Sequence, residues 1–426
     1  MEGCDARMTG TRGLRRGRRI IASVLVVVLF AGAIVTDQIG IGKRDGRYQS
    51  SPAYAYLAET IECLSYGWLH WIVYRLGAQF SNEDSASGRY RRACVSVANK
   101  DFAKAEEWME AYIETEEPGR AAEESASLFM QLACIRSLNG DAYGAVQAAH
   151  EAVTQDGENA HLQQLLYQFS LEAGDTRGAA KALGTYAALT EDDTYYEEIA
   201  DLYLEAGDYE ESGRFYDLAI ENDGETDRLL YMRGTCSMLS GRYAEALEDF
   251  AASAMPGSLY SQGVCAMALN DLGQAEVCFL KTIDRGEQAN DARLMLAVCR
   301  LESGEPAAAE SLLDQYLAAG GSYEDIAYYR ASARAMQENY TGAAEDYDAA
   351  VQAGSFRPES LFAAAQCYYF AGNYTRAIER FEQCVDEEIE LAQSWYYLGL
   401  SLMASGETER AAEALDHALD AGATNG

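Results

Sequence analysis

The sequence predicts an all-α chain of about ten stacked helix pairs, preceded by one membrane-spanning helix near the N-terminus. Three observations carry this. A small residue after a short turn recurs with a period of 34 between residues 105 and 411. A second small residue precedes all of these but one by twelve positions, Tyr167 being the exception, and a bulky apolar one follows all but one by four, Ala149 being the exception. An uncharged apolar run, Ile20–Val35, follows a cluster of arginines. The 426 residues are 49% hydrophobic and 24% charged, which suits a large buried core and not a disordered tail. The formal charge of −35 argues against nucleic acid, whose phosphates need Lys and Arg partners.

Residues 1–19 read as a basic cytoplasmic tail and residues 20–36 as a signal anchor. Nine basic residues oppose four acidic ones over residues 1–47, a balance of +5 that leaves −40 on the remainder. Sixteen uncharged residues cover about 24 Å of a roughly 30 Å hydrocarbon layer, and Thr36 with the flanking turns completes the span. Ala31-Gly32-Ala33 also fits a signal-peptide cleavage site, so cleavage stands as the alternative. Apolar Ile34 and Val35 beyond that site favour retention. Arginines ahead of the span keep the N-terminus in the cytoplasm and place the rest outside the cytoplasmic membrane, which is read as a bacterial one from the general style of the sequence and not from these residues.

Residues 37–51 read as a linker. Their glycines resemble a loose phosphate loop, but no strand precedes them and no helix follows at once. Ser51-Pro52 then marks a helix start, with a capping residue ahead of a first-turn proline. The aromatic-rich segment 52–85 carries Trp68 and Trp71, three residues apart. It suits either an interfacial helix on the membrane or a cap on the first repeat.

From residue 86 to 424 the chain repeats. The recurring residues are Ala105, Ala145, Ala179, Ser212, Ala246, Ala275, Ala309, Ala343, Ala377 and Ala411. Their spacings are 40, 34, 33, 34, 29, 34, 34, 34 and 34. The 40-residue interval holds an inserted loop at Glu116–Gly119, and the 29-residue one predicts a shortened second helix near Pro256. Glycines such as Gly140, Gly174 and Gly406 stop each first helix in a left-handed turn. Facing small residues, Gly399 and Ala411 for example, let two helices approach, and the bulky residue one turn on fills the space. A lone pair cannot bury its apolar face, so neighbouring pairs must stack.

This pattern resembles the tetratricopeptide repeat family. Trp395, Leu398, Gly399, Leu402, Ala411, Leu415 and Ala418 fall on the family's signature positions. The first unit, with Arg89 and Arg92 in apolar slots, and the third, with Tyr167 in the small slot, depart most. The resemblance implies a right-handed superhelical solenoid whose first helices line a concave groove. It also implies a scaffold for protein–protein contacts without cofactor or catalysis.

By the same resemblance, three positions of each first helix face that groove. In the last six units they include Tyr231, Tyr260, Met267, Tyr328, Phe362, Tyr369, Tyr396 and Met403. The eighteen positions carry no charge. They suit an apolar partner segment, or alternatively packing between neighbouring first helices. Glu197 and Asp201 make an earlier stretch acidic, which would attract a basic segment or simply face solvent. Lys, Arg and Asn are missing from these slots, which excludes the two-carboxylate clamp of chaperone-tail binders. A groove lined with tyrosine also suits envelope polymers or carbohydrates, and a spacer without a dedicated ligand is the third reading.

No constellation for chemistry is visible. His70, His150, His161 and His417 are scattered, and no HExxH, GxSxG, phosphate-loop lysine or CxxC occurs. No metal site is expected. Cys236, Cys265, Cys299 and Cys367 each precede the repeat marker by ten residues, which reads as a small apolar packing slot holding free thiols. Free thiols sit awkwardly outside a membrane. The arginine cluster carries that placement regardless.

Overall fold

The turn inside each repeat is built the same way ten times. The residue before the second helix's N-cap is left-handed in every case. Glycine supplies it in seven, and Lys100 (φ 60°), Asn270 (φ 59°) and Glu338 (φ 62°) in the other three. The next residue caps the second helix. Asp101, Asp141, Asp175, Asp271, Asn339 and Asn373 each accept the backbone N–H three residues on. Arg242, Glu305 and Glu407 take the same place without a side-chain cap.

The computed structural model describes residues 51–61, 74–79, 81–82, 84–115 and 120–422. The predicted tail, the anchor at 20–36, nearly all of the linker, both Trp68 and Trp71, and the inserted loop at 116–119 lie outside the described residues. Among the described residues no helix is long and apolar enough to cross a membrane. Every regular element described is helical.

Two compact units divide the chain, one ending at Asp208 and the other starting at Tyr209. The first holds α1 (Pro52–Thr60), α2 (Ala86–Ala98), α3 (Phe102–Ile113), α4 (Ala122–Asn139), α5 (Ala142–Gln155), α6 (Ala160–Ala173), α7 (Thr176–Thr190) and α8 (Tyr196–Glu205). From α2 onward each helix packs on the next in sequence. Helix α1 packs on α4 and buries Ala53, Tyr56 and Leu57, with Ile61 just beyond it. Pro52 takes the first helical position as expected, but Ser51 makes no capping hydrogen bond. Helix α4 is buried nearly all round from Leu128 to Ile135, because α1, α3 and α5 surround it.

The second unit holds α9 (Tyr209–Asp223), α10 (Asp227–Leu239), α11 (Tyr243–Ala252), α12 (Ser258–Ala268), α13 (Leu272–Arg285), α14 (Ala289–Glu302) and α15 (Pro306–Ala318). It continues with α16 (Tyr323–Met336), α17 (Tyr340–Ala353), α18 (Arg357–Phe370), α19 (Tyr374–Asp386), α20 (Leu391–Ser405) and α21 (Thr408–Asp420). Again each helix packs on the next, and first helices also touch first helices, as in α12 with α14 and α18 with α20. Helix α11, in the 29-residue repeat, has only 10 residues.

The small-and-bulky pattern is the core. All ten markers from Ala105 to Ala411 are buried. A Cβ on Gly263 would come within 2.6 Å of the Phe279 ring, and one on Gly399 within 2.7 Å of Leu415. The bulky residue therefore fills the space that the missing side chain leaves. Tyr167, in the third unit's small slot, stays half-buried and its hydroxyl donates to Glu198.

Arginines tie the repeats together. Arg233 on α10 makes a two-bond fork with Asp249 (2.9 and 2.6 Å) and reaches Asp217 of the preceding repeat at 2.8 Å. Arg330 on α16 does the same with Asp346 (2.9 and 2.9 Å) and Asp314 (3.4 Å). A second slot holds Arg136, Arg300 and Arg334, which bind Glu106, Glu276 and Glu310 of the repeat before. Asp346 is only 2% exposed and receives Arg330, Arg334 and the Tyr323 hydroxyl. These carboxylates push the guanidinium pKa values of Arg233 and Arg330 up.

Candidate partner-binding surface

The eighteen uncharged stripe positions lie on α10, α12, α14, α16, α18 and α20. Seventeen are half-buried, and Met403 is 52% exposed. The two sequence readings therefore meet in the middle. Four of the five leading aromatics pack against the bulky residue of their own repeat in tilted or edge-on contacts. Ring centroids are 5.3 Å apart for Tyr231 and Phe250, 5.8 Å for Tyr260 and Phe279, 5.9 Å for Tyr328 and Tyr347, and 6.1 Å for Phe362 and Phe381. Met267 packs beside Tyr260 on the cluster around Phe279. Burial raises the hydroxyl pKa values of Tyr260 and Tyr369, so both stay neutral donors.

The aromatic surface thickens toward the last repeats. Tyr397 is its hub. It stacks on Phe381 at 5.6 Å and touches Phe362, Tyr369, Phe370 and Tyr396. Phe356 and Phe370 are 48% and 52% exposed. Sequence reading passed over these three residues because it followed fixed repeat positions. The signal was the aromatic density between Phe356 and Tyr397.

Glu197 and Asp201 sit on α8 in the first unit, both half-buried. Gln164 and Gln168 occupy the matching places on α6 and are half-buried as well. The first unit thus presents polar stripe residues where the second presents aromatic ones.

Among the described residues no group of three or more His, Cys, Asp or Glu is placed to hold a metal ion. The eight described cysteines are buried thiols. Burial pushes the Cys265, Cys299 and Cys367 thiols up to about 11 and Cys384 to about 12, so they are protonated packing groups.

The tetratricopeptide repeat model matches residues 198–258, 260–324 and 300–358. A model described as subunit 3 of the anaphase-promoting complex, or cyclosome, matches residues 336–418. No curated protein matches the chain. Three solved structures align with parts of the chain. The Naa15/Naa10 complex bound to HypK-THB shares 12% identity, with 88% of this chain and 64% of that one covered and a TM-score of 0.45. The APC/C hetero-tetramer Cut9-Hcn1 shares 16%, covering 95% and 85%, with a TM-score of 0.33. A tetratricopeptide repeat protein from Parabacteroides merdae shares 15%, covering 59% and 99%, with a TM-score of 0.29. Residues 198–358 thus match the tetratricopeptide repeat family, and the helix pairs on either side of them repeat the same pattern.

Proposed function

We propose that the chain is a membrane-tethered scaffold for protein–protein contacts, and that the stripe of the second unit holds an extended or helical segment of a partner protein. The supporting observation is the run of uncharged, half-buried side chains across six successive first helices. Half-buried aromatic rings are already ordered by the core beneath them, so they give up little entropy on meeting a partner. Their exposed faces still offer apolar area. The tether at residues 20–36 and the placement outside the membrane rest on the sequence alone.

Tyr328 and Phe362 rest on core rings, so truncating them would disturb stability along with binding. A photo-crosslinker at Met403 or Tyr396, with one at exposed Leu280 on α13 as reference, separates the two effects. We expect crosslinks to one defined segment of one protein from Met403 and Tyr396 and none from Leu280. Equal crosslinking from all three positions would remove the stripe from consideration.

A further inference from the structure

Successive repeats can be compared in register, and one place in the stripe lacks its cover. Tyr328 and Phe362 occupy equivalent positions 34 residues apart, as do Phe356 and Glu390. Phe356 and Glu390 both precede a first helix with left-handed backbone, at φ 44° and 43°. In the earlier repeat the Phe356 ring lies over Tyr328 at 4.5 Å. One repeat later Glu390 stands where a ring would be, and a hollow of about 570 Å³ opens beside Phe362. Pro358, Glu359, Glu388, Ile389, Glu390 and Gln393 complete its lining. Among the described residues none of the three glutamates has an ion-pair partner. The nearby Arg357 is engaged by Glu387 through two bonds of 2.8 Å.

We propose that this hollow receives an arginine side chain of the partner segment, its guanidinium lying over Phe362 as Phe356 lies over Tyr328. The inference rests on the stripe being the partner surface. A planar ligand is called for, because the equivalent place is filled by a ring. A cation is called for, because three unneutralised carboxylates rim an apolar floor. Arginine combines both, stacking on an aromatic face while its N–H groups meet carboxylates. Lysine has the charge without the plane, and citrulline has the plane without the charge.

The test uses the detergent-solubilised full-length chain with Ile methyl groups labelled, since Ile389 lines the hollow. The probes are Gly-Tyr-Xaa-Tyr-Gly peptides with Xaa as Arg, Lys or citrulline. We expect the Arg peptide to shift the Ile389 methyl signal and citrulline to need at least about tenfold higher concentration, with Lys between them. Glu390→Phe copies the earlier repeat's cover at a backbone angle that Phe356 already adopts, and should abolish the shift. The double variant Glu359→Gln with Glu388→Gln, at two exposed positions, should weaken it several-fold and gives a second reading. Equal response to Arg and citrulline, or an Ile389 shift that survives Glu390→Phe, would overturn the proposal. If Met403 still crosslinks to its partner in that event, only the hollow fails. Loss of Met403 crosslinking in the unaltered chain instead removes the stripe itself.

Discussion

The unit ending at Asp208 and the unit starting at Tyr209 stack the same kind of helix pair by different means. The first joins residues from Ala53 to Ala182 in one continuous apolar cluster, with Arg136 bridging to Glu106 and Glu110 at its surface. The second divides its apolar contacts among smaller clusters, such as those around Phe250, Phe279 and Leu313. It adds arginine forks on buried aspartates. Apolar burial has no direction, so it tolerates an interval stretched to 40 residues and a first helix of 18. A two-bond fork is directional, and it recurs only where successive repeats keep their register. The tetratricopeptide repeat model matches residues 198–358.

The largest expected effect tests this contrast directly. Asp346→Ala removes the carboxylate that two guanidinium groups and a tyrosine hydroxyl share at a site nearly sealed from water, leaving Arg334 only Glu310 and Arg330 only Asp314 at 3.4 Å. Removing one partner of a buried ion pair costs about 3–5 kcal/mol. Glu106→Ala in the first unit removes a carboxylate that shares Arg136 with Glu110, at a site nearer solvent, and should cost about 1 kcal/mol or less. Hydrogen exchange resolved by peptide reads each unit separately. Equal loss of protection in both would show that the arginine forks do not distinguish them.

The features legible in the sequence were the local and periodic ones. The left-handed turn and the small-bulky pairing each depend on a few neighbouring residues and stand where the spacing placed them, whereas the capping Asp or Asn beside each turn went unread. The arginine ladder went unread although Asp217, Arg233 and Asp249 are spaced by 16, as are Asp314, Arg330 and Asp346. Scattered charges look like a solvated face until folding brings three helices to one point. The stripe was legible as a face but not in its depth. Period fixes which way Tyr260 points, whereas its coverage depends on Phe279 beneath it and on neighbouring helices. The missing cover at Glu390 emerges only when one repeat is laid on the next.

A mid-sized effect concerns the small slot. Gly263→Ala pushes a methyl group against the Phe279 ring, which is fully buried and held among Ala266, Leu296 and Cys299. Overpacking of this kind costs about 1–3 kcal/mol. The first unit already carries Tyr167 in the equivalent slot, half-exposed and bonded to Glu198, so Tyr167→Ala should cost less than Gly263→Ala. Urea midpoints of the two variants decide the order, and the reverse order would show that the tight approach is not what the later repeats depend on.

The smallest effect is a pH dependence. Glu310 accepts from Arg334 at 2.8 Å and from Gln337 at 2.8 Å, and the Arg334 hydrogen bond is the main cause holding its carboxyl below the ordinary 4.5. A lowered folded pKa means the folded state binds the proton less readily than the unfolded chain. Its contribution is therefore fully present above about pH 4.5 and is lost as pH falls through the folded value. Glu310→Gln keeps the shape and removes the titration, while Arg334 retains Asp346 at 2.9 Å. At neutral pH the variant should melt only about 1–2 °C lower, because the pair is partly solvated, and the gap should close as pH falls through the lowered folded value. The gap should appear in exchange from α15 and α16 and be missing from α4. If α4 follows the same acid limb, the two units share their acid response, and the fork-against-core contrast fails at its most sensitive point.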